Sequence, residues 1–109
     1  MSLYWIGRSD QRDKDGWAEY ERLVKLATEA HRDRYPYEPI VRGGAFRLLE
    51  GHEPYPYNRH AMLQFASMDA AVRFYESDEY QVASAVRKAS SGPCELLLIE
   101  GLDLPIGRR

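Results

Sequence analysis

The residues of this chain best suited to chemistry are two arginines and a tyrosine. Arg42 immediately precedes Gly43-Gly44, while Tyr80, Ser84 and Arg87 follow one another at spacings of four and three. That spacing places the last three on one face of a helix. A phenol and a guanidinium on a shared face can hold a carboxylate or an enolate through charge-assisted hydrogen bonds. Paired glycines let a ligand come close to the backbone. The ligand-binding set read from sequence is therefore Arg42, Gly43, Gly44, Tyr80, Ser84 and Arg87, with Arg42, Tyr80 and Arg87 also candidates for catalysis. A plainer reading of the same positions is that Arg87 is a solvated surface charge and Tyr80 packs by its ring. His31 closes the apolar face of an earlier helical pattern. It would serve either as a general base titrating near neutral pH or as a core-edge histidine bonded to a backbone carbonyl.

Other chemistries lack their residue patterns. His31, His52 and His60 show no pair one helical turn apart, so no metal site is expected. The helical region from Met68 to Ser90 contains no histidine to ligate haem, and no cofactor is expected. Cys94 follows Gly92-Pro93 without a base beside it and reads as a small apolar residue. No Ser-His-Asp order, phosphate-cradling loop or dinucleotide fingerprint is present. Tyr35, Tyr37, Tyr55 and Tyr57 would line a pocket mouth for a planar ligand, or else pack two loops on each other.

The bulk properties bound the rest. At 109 residues the chain suits one domain, 1–109, and its 44% hydrophobic content with eight Tyr and two Trp marks it as folded. Basic and acidic residues, 15 and 17, are mixed along the chain. Nothing resembles a nucleic-acid-binding stripe, the terminal Arg108-Arg109 pair being too short to count as one. A single cysteine fits a reducing compartment. Arg8, Asp10 and Arg12 interrupt any signal-peptide pattern, and the apolar run Leu96 to Ile99 is far too short to span a membrane. A cytoplasmic location is expected.

The elements that must position these residues follow from pattern. Leu3 to Arg8 is rich in β-formers. Asp13 or Asp15 can cap a helix whose buried face carries Trp17, Tyr20, Val24, Ala27 and His31, widened by Leu23 and Ala30. Pro36 and Pro39 stop it. Pro39 to Glu50 reads as extended and bent at Gly43-Gly44, Gly51 to Asn58 as a loop, and Arg59 to Phe65 as a strand. Ser67 caps a helix with Met68, Ala71, Val72 and Tyr75 on one face. Ser77-Asp78 signals a second cap before a stripe of Val82, Ala85, Val86 and Ala89. Gly92-Pro93 breaks the chain ahead of a last strand, Cys94 to Glu100.

The order β-α-β-β-α-β gives a four-stranded antiparallel sheet with its helices on one face, an α+β fold. The strands are nonetheless apolar on both faces, with Leu3 and Trp5 against Tyr4 and Ile6, and Leu96 and Leu98 against Leu97 and Ile99. The uncovered face needs a partner, and the same face of a second copy is the economical one, which predicts a homodimer.

With these residues in order, the chain resembles the domain of unknown function 1330 family of the dimeric α+β barrel superfamily. The likeness rests on Tyr4-Trp5-Ile6, Val41-Arg42-Gly43-Gly44, Leu49-Glu50-Gly51, Tyr75 to Tyr80 followed by Arg87, and Leu98-Ile99-Glu100-Gly101. It implies a ferredoxin-like fold whose sheets pair into a barrel, with a pocket between sheet and helices in each protomer. The superfamily hosts cofactor-independent monooxygenases, haem-degrading enzymes, isomerases and plain binding proteins, so the fold does not fix the function. Two departures matter. Arg34 to Pro39 replaces a glycine-rich turn, and Gln64-Phe65 stands where the family has Glu-Phe, so an acid-base role for that glutamate does not transfer. Three functions stay open: a metal-free enzyme acting on a carbonyl-containing or aromatic metabolite, isomerase or monooxygenase-like; a non-catalytic dimer binding such an acid; and a structural dimer whose pocket its own side chains fill.

Overall fold

The computed structural model describes residues 2–102; the Arg108-Arg109 pair lies outside them. Strand β1 (Leu3–Gln11) leads into helix α1 (Lys14–Ala30), then strands β2 (Tyr37–Arg42) and β3 (Arg59–Phe65). Helices α2 (Met68–Glu76) and α3 (Asp78–Ala89) precede strand β4 (Ser91–Glu100). The sheet order is β2-β3-β1-β4 with every neighbouring pair antiparallel. This is the expected β-α-β-β-α-β arrangement, its second helix broken in two. None of the helices is long and apolar enough to cross a membrane.

Local chemistry sets the boundaries. Of the two capping candidates, Asp13 caps α1, its carboxylate accepting from the Asp15 N–H. Ser67 caps α2. Ser77 ends α2 and starts α3: its extended backbone stops the first helix, and its hydroxyl donates to the Phe74 carbonyl (2.7 Å) while accepting from the Tyr80 N–H (3.3 Å).

Two boundaries differ from expectation because β2 and β4 are edge strands. Pro39 sits inside β2 beside a register shift, and Pro93 sits inside β4, which starts at Ser91 rather than Cys94. An edge strand tolerates proline because one side of its backbone bonds to nothing in the sheet. The second extended stretch ends at Arg42 instead of reaching Glu50. Gly43 (φ 66°) and Gly44 (φ 93°) adopt the left-handed region and turn the chain out of the sheet.

The period-two alternation of β1 is clean. Leu3, Trp5, Gly7 and Ser9 are buried beneath the helices, and Tyr4, Ile6 and Arg8 face the other way. Trp5 is the hub of the core, with Phe65, Phe74, Tyr75 and Tyr80 packed round it at ring separations of 5.2–6.1 Å. On α2 the buried residues are Ala71 and Phe74, whereas Met68, expected inside, is largely exposed. Ala30 is exposed at the end of α1.

On α3 the expectation inverts. Of the stripe, Val82, Ala85 and Ala89 point outward, with Val82 55% exposed, Val86 is half-buried, and the buried face is Tyr80, Ala83, Ser84 and Arg87. Small Ala83 and Ser84 let α3 lie close against α1, and that packing outweighs the modest apolar area of the stripe.

Gly16 is a second close approach. A Cβ there would sit 1.9 Å from Ser90 Oγ and 2.8 Å from Ser90 Cβ, where the start of α1 meets the end of α3. Helix propensity alone favours alanine at an interior helical glycine. Gly16→Ala is expected instead to destabilise the fold by about 1–3 kcal/mol through overpacking, read as a lower denaturant midpoint with unchanged slope.

Candidate functional site

Between the sheet and α1 lies a cavity of about 620 Å³. Its floor is low where Gly7 on β1 stands directly across from Ala61 on β3. The Leu96 side chain leans over Gly7, where a Cβ would come 2.9 Å from its Cδ2, and Ala61 is the small position left beside it. Trp5 with Leu63 on one side, and Leu96 on the other, border the floor, and Tyr20 and Val24 of α1 form the roof.

Arg87 reaches this cavity from α3 and is only 4% exposed. Its Nη1 donates to Ser9 Oγ at 3.0 Å, and its buried Nε has no partner among the described residues. No carboxylate pairs with it there. A buried guanidinium is normally paired, because leaving water without an opposing charge is costly. Above it the Tyr20 and Tyr80 hydroxyls share a hydrogen bond of 3.1 Å. Burial pushes both phenols upward, Tyr80 far above its ordinary range, although the nearby Arg87 charge opposes the rise. Both stay protonated around neutral pH and act as hydrogen-bonding groups rather than bases.

The other hydroxyls are paired among themselves. Thr28 donates to the Val24 carbonyl (2.8 Å), which leaves its oxygen to accept from the Tyr37 hydroxyl (2.7 Å). At the β1 end, Arg59 lies directly across from Ser9 on the neighbouring strand, 5.2 Å over the Trp17 ring, and pairs with Glu21 at 3.2 Å. Six lining side chains are cationic (Arg22, Lys25, Arg32, Arg42, Arg59, Arg87) and two are carboxylates (Glu21, Glu29), in a chain whose formal net charge is -2. The cavity wall is thus positive where the chain as a whole is slightly negative.

The sequence-derived candidates separate here. Arg42, Tyr80 and Arg87 line the same cavity, Arg42 at its exposed rim. The plainer reading of Arg87 as a solvated charge is overturned by its burial. Ser84 is buried without a hydrogen-bond partner among the described residues, but it does not line the cavity. Nor do Gly43 and Gly44: the Gly43 N–H is already donated to the His60 carbonyl (2.8 Å), and their positive φ serves the chain reversal. Cys94 is half-buried and free.

The four tyrosines do not gather. Tyr37 lines the cavity and Tyr35 stacks on His31. Tyr55 and Tyr57 lie on the opposite sheet face, where Tyr55 bonds His60 (2.7 Å) and Tyr57 donates to Glu95 (3.0 Å). Arg8 pairs with that Glu95 and lies 4.4 Å over the Tyr57 ring. Among the described residues no group of His, Cys, Asp and Glu is placed to hold a metal ion.

Sequence reasoning missed Arg59, Tyr20 and the Gly7–Ala61 floor. The available signal was Gly7 itself, since a glycine inside a strand marks a bulge or a close approach, and alternation already placed it on the face of Trp5 and Ser9.

His31 is not part of the cavity. Its Nε2 meets Glu79 Oε1 at 2.6 Å, its Nδ1 lies 3.3 Å from Arg34 Nη2, and its ring packs between Tyr35 and Phe74. It therefore ties α1 to α3 through a side chain rather than a backbone carbonyl. The hydrogen bond from His31 holds the Glu79 carboxyl below its ordinary range. A carboxylate lowered by folding contributes stability above its unfolded pKa and loses it as pH falls through the folded value. His31→Ala is expected to cost about 1–2 kcal/mol at neutral pH, with the deficit from wild type narrowing below roughly pH 4. Chemical denaturation across pH measures both, and carboxylate binding in the cavity should not change.

Solved structures share this architecture at low sequence identity. A protein of unknown function from Rhodopseudomonas palustris superposes with a TM-score of 0.75 at 15% identity, covering 94% of this chain and 84% of that one. A dimeric ferredoxin-like protein of unknown function from Jannaschia sp. CCS1 gives 0.68 at 14%, covering 93% and 100%. A protein from Caulobacter crescentus CB15, proposed to be an antibiotic biosynthesis monooxygenase, gives 0.59 at 14%, covering 94% and 91%. At such identities the likeness is one of fold, which is ferredoxin-like. No curated protein matches the sequence. The profile of one family matches residues 2–102, nearly all that the structure describes, and the chain accordingly belongs to the domain of unknown function 1330 family.

Proposed function

We propose that the cavity binds a small metabolite bearing a carboxylate or carbonyl group, anchored by Arg87, in a homodimer formed through the open sheet face. The observation that carries this reading is a guanidinium 4% exposed, turned to a cavity, with no carboxylate partner among the described residues and a buried Nε that donates to nothing there. An anionic oxygen would supply the missing acceptor through a charge-assisted bond. Arg42, Lys25 and Arg32 at the rim would raise the local concentration of anions at the entrance.

Binding is better supported than turnover. Both cavity phenols are held protonated, and of the two lining carboxylates Glu21 is paired with Arg59 and Glu29 is exposed to solvent at the rim. A metal-free reaction of isomerase or monooxygenase type is the second reading, favoured by the fold shared with the Caulobacter protein. In that case Arg87 would stabilise the developing oxyanion. The single cysteine suits a cytoplasmic setting.

Pairing through the sheet is supported by Leu97 and Ile99, 45% and 51% exposed on the open face beside Ile6 and Met62. The related folds from Jannaschia and Thermobifida fusca are themselves described as dimeric. Sedimentation equilibrium should return twice the 12.6 kDa chain mass. Leu97→Asp should shift the protein to monomer, and a wild-type monomer at micromolar concentration would refute the pairing.

The anchor has its own signature. Arg87→Met keeps most of the aliphatic volume and removes the unpaired charge. Ligand-free protein should gain about 1 kcal/mol or more of stability while losing carboxylate binding. A destabilised variant that still binds would remove Arg87 from the site.

A further inference from the structure

The polar atoms of the cavity are unevenly satisfied, and that unevenness describes a ligand more narrowly. The Tyr20 and Tyr80 hydroxyls bond each other, Thr28 bonds Tyr37 and Val24, and Ser9 accepts from Arg87. Among the described residues, Arg87 Nε is the one cavity polar atom that is buried with no partner at all. One proton of the Tyr20–Tyr80 pair is the other donor beside it, since a single bond between two hydroxyls uses only one of their protons. The charged side chains Arg22, Lys25, Arg32 and Arg42 sit at the exposed rim, and the inner wall away from Arg87 is aromatic and aliphatic: Trp5, Val24, Leu63, Phe74 and Leu96. A ligand whose buried part is rich in hydroxyls or carries further carboxylates would leave those groups unpaired against that inner wall, at a cost for each. A bare carboxylate would engage Arg87 but leave most of the 620 Å³ to be filled by water held against apolar side chains, which such surfaces hold poorly.

We infer that the ligand of this cavity is an amphipathic monocarboxylic acid, its single anionic head on Arg87 and an apolar body, aromatic ring or alkyl chain, laid over the floor at Ala61 along Trp5, Leu63 and Leu96. The inference rests on the reading of the cavity as an Arg87-anchored acid site and specifies which acids belong there. The floor is what admits the body. Any side chain larger than alanine at residue 61 projects into the space that the ring or chain occupies, whereas Arg87 reaches the head from α3 and does not depend on the floor. Body and head are therefore separable by mutation.

Isothermal titration of the wild-type protein with straight-chain carboxylates from acetate to decanoate, 3-phenylpropionate, succinate, citrate and 1-octanol tests this. Affinity should rise roughly fourfold per methylene until the cavity is full. 3-Phenylpropionate should rank with the longer acids, and octanol should bind at least tenfold more weakly than octanoate. Ala61→Phe, with folding checked by circular dichroism, should weaken octanoate and 3-phenylpropionate at least tenfold while changing butyrate by less than threefold. Succinate or citrate binding as tightly as octanoate, with the affinity lost in Arg87→Met, would overturn the inference and leave the acid site standing. Octanol matching octanoate, or no carboxylate depending on Arg87, would overturn both. The wild-type series decides the question even if Ala61→Phe fails to fold.

Discussion

The buried charge of Arg87 is the constraint round which the rest of this structure is arranged. Its helix, α3, is held against α1 with Tyr80, Ala83 and Ser84 buried, so the guanidinium is carried under the helices to Ser9 of β1 instead of outward to water. Desolvating a guanidinium without a counter-charge opposes folding. The surrounding core must offset it, and the aromatic cluster round Trp5, with Phe65, Phe74 and Tyr80, lies at the centre of the buried apolar core. A site whose stability is lowered until a ligand arrives is a common consequence of function.

The two faces of the sheet divide the labour. Beneath the helices, β1 alternates large and small, so Trp5 fills the core while Gly7 and Ser9 leave room beside it. On the far face, Tyr55, Tyr57, His60, Arg8 and Glu95 form a closed polar cluster next to the apolar patch of Ile6, Leu97 and Ile99. The hydrogen bonds from Arg8 and Tyr57 hold the Glu95 carboxyl low, which keeps that end of the face charged and paired at neutral pH. A face that is polar at one end and apolar at the other defines an orientation for anything docking on it.

Much of the fold could be read from the residues alone, because strand alternation and capping are local. Leu3 to Arg8, Arg59 to Phe65 and the breaks at Ser67 and Ser77 follow from period and side-chain chemistry over a few positions. What could not be read were matters of packing. The stripe of Val82, Ala85, Val86 and Ala89 looks like a core face by composition, and only the packing of α3 on α1, with Ala83 and Ser84 buried, turns most of it outward. The candidate site was half legible for the same reason. Helical spacing joined Tyr80 to Arg87, but Arg59 and Tyr20 join them only through strand register and the approach of α1. Gly43-Gly44 drew notice for chemistry that a chain reversal explains in full. His31 did so for a base's role, where its bond to Glu79 is a tie between helices.

The site depends on the state of one N–H group. Nitrogen-15 NMR of the arginine Nε–Hε signals, with Arg87 assigned by its loss in Arg87→Lys, reports it directly. Ligand-free protein should show an Arg87 Hε exchanging with water far more slowly than the exposed arginines, and that signal should move saturably as a carboxylate is added. An Hε that exchanges as fast as the exposed ones and ignores added carboxylate would contradict the buried, unpartnered cation on which the site is built.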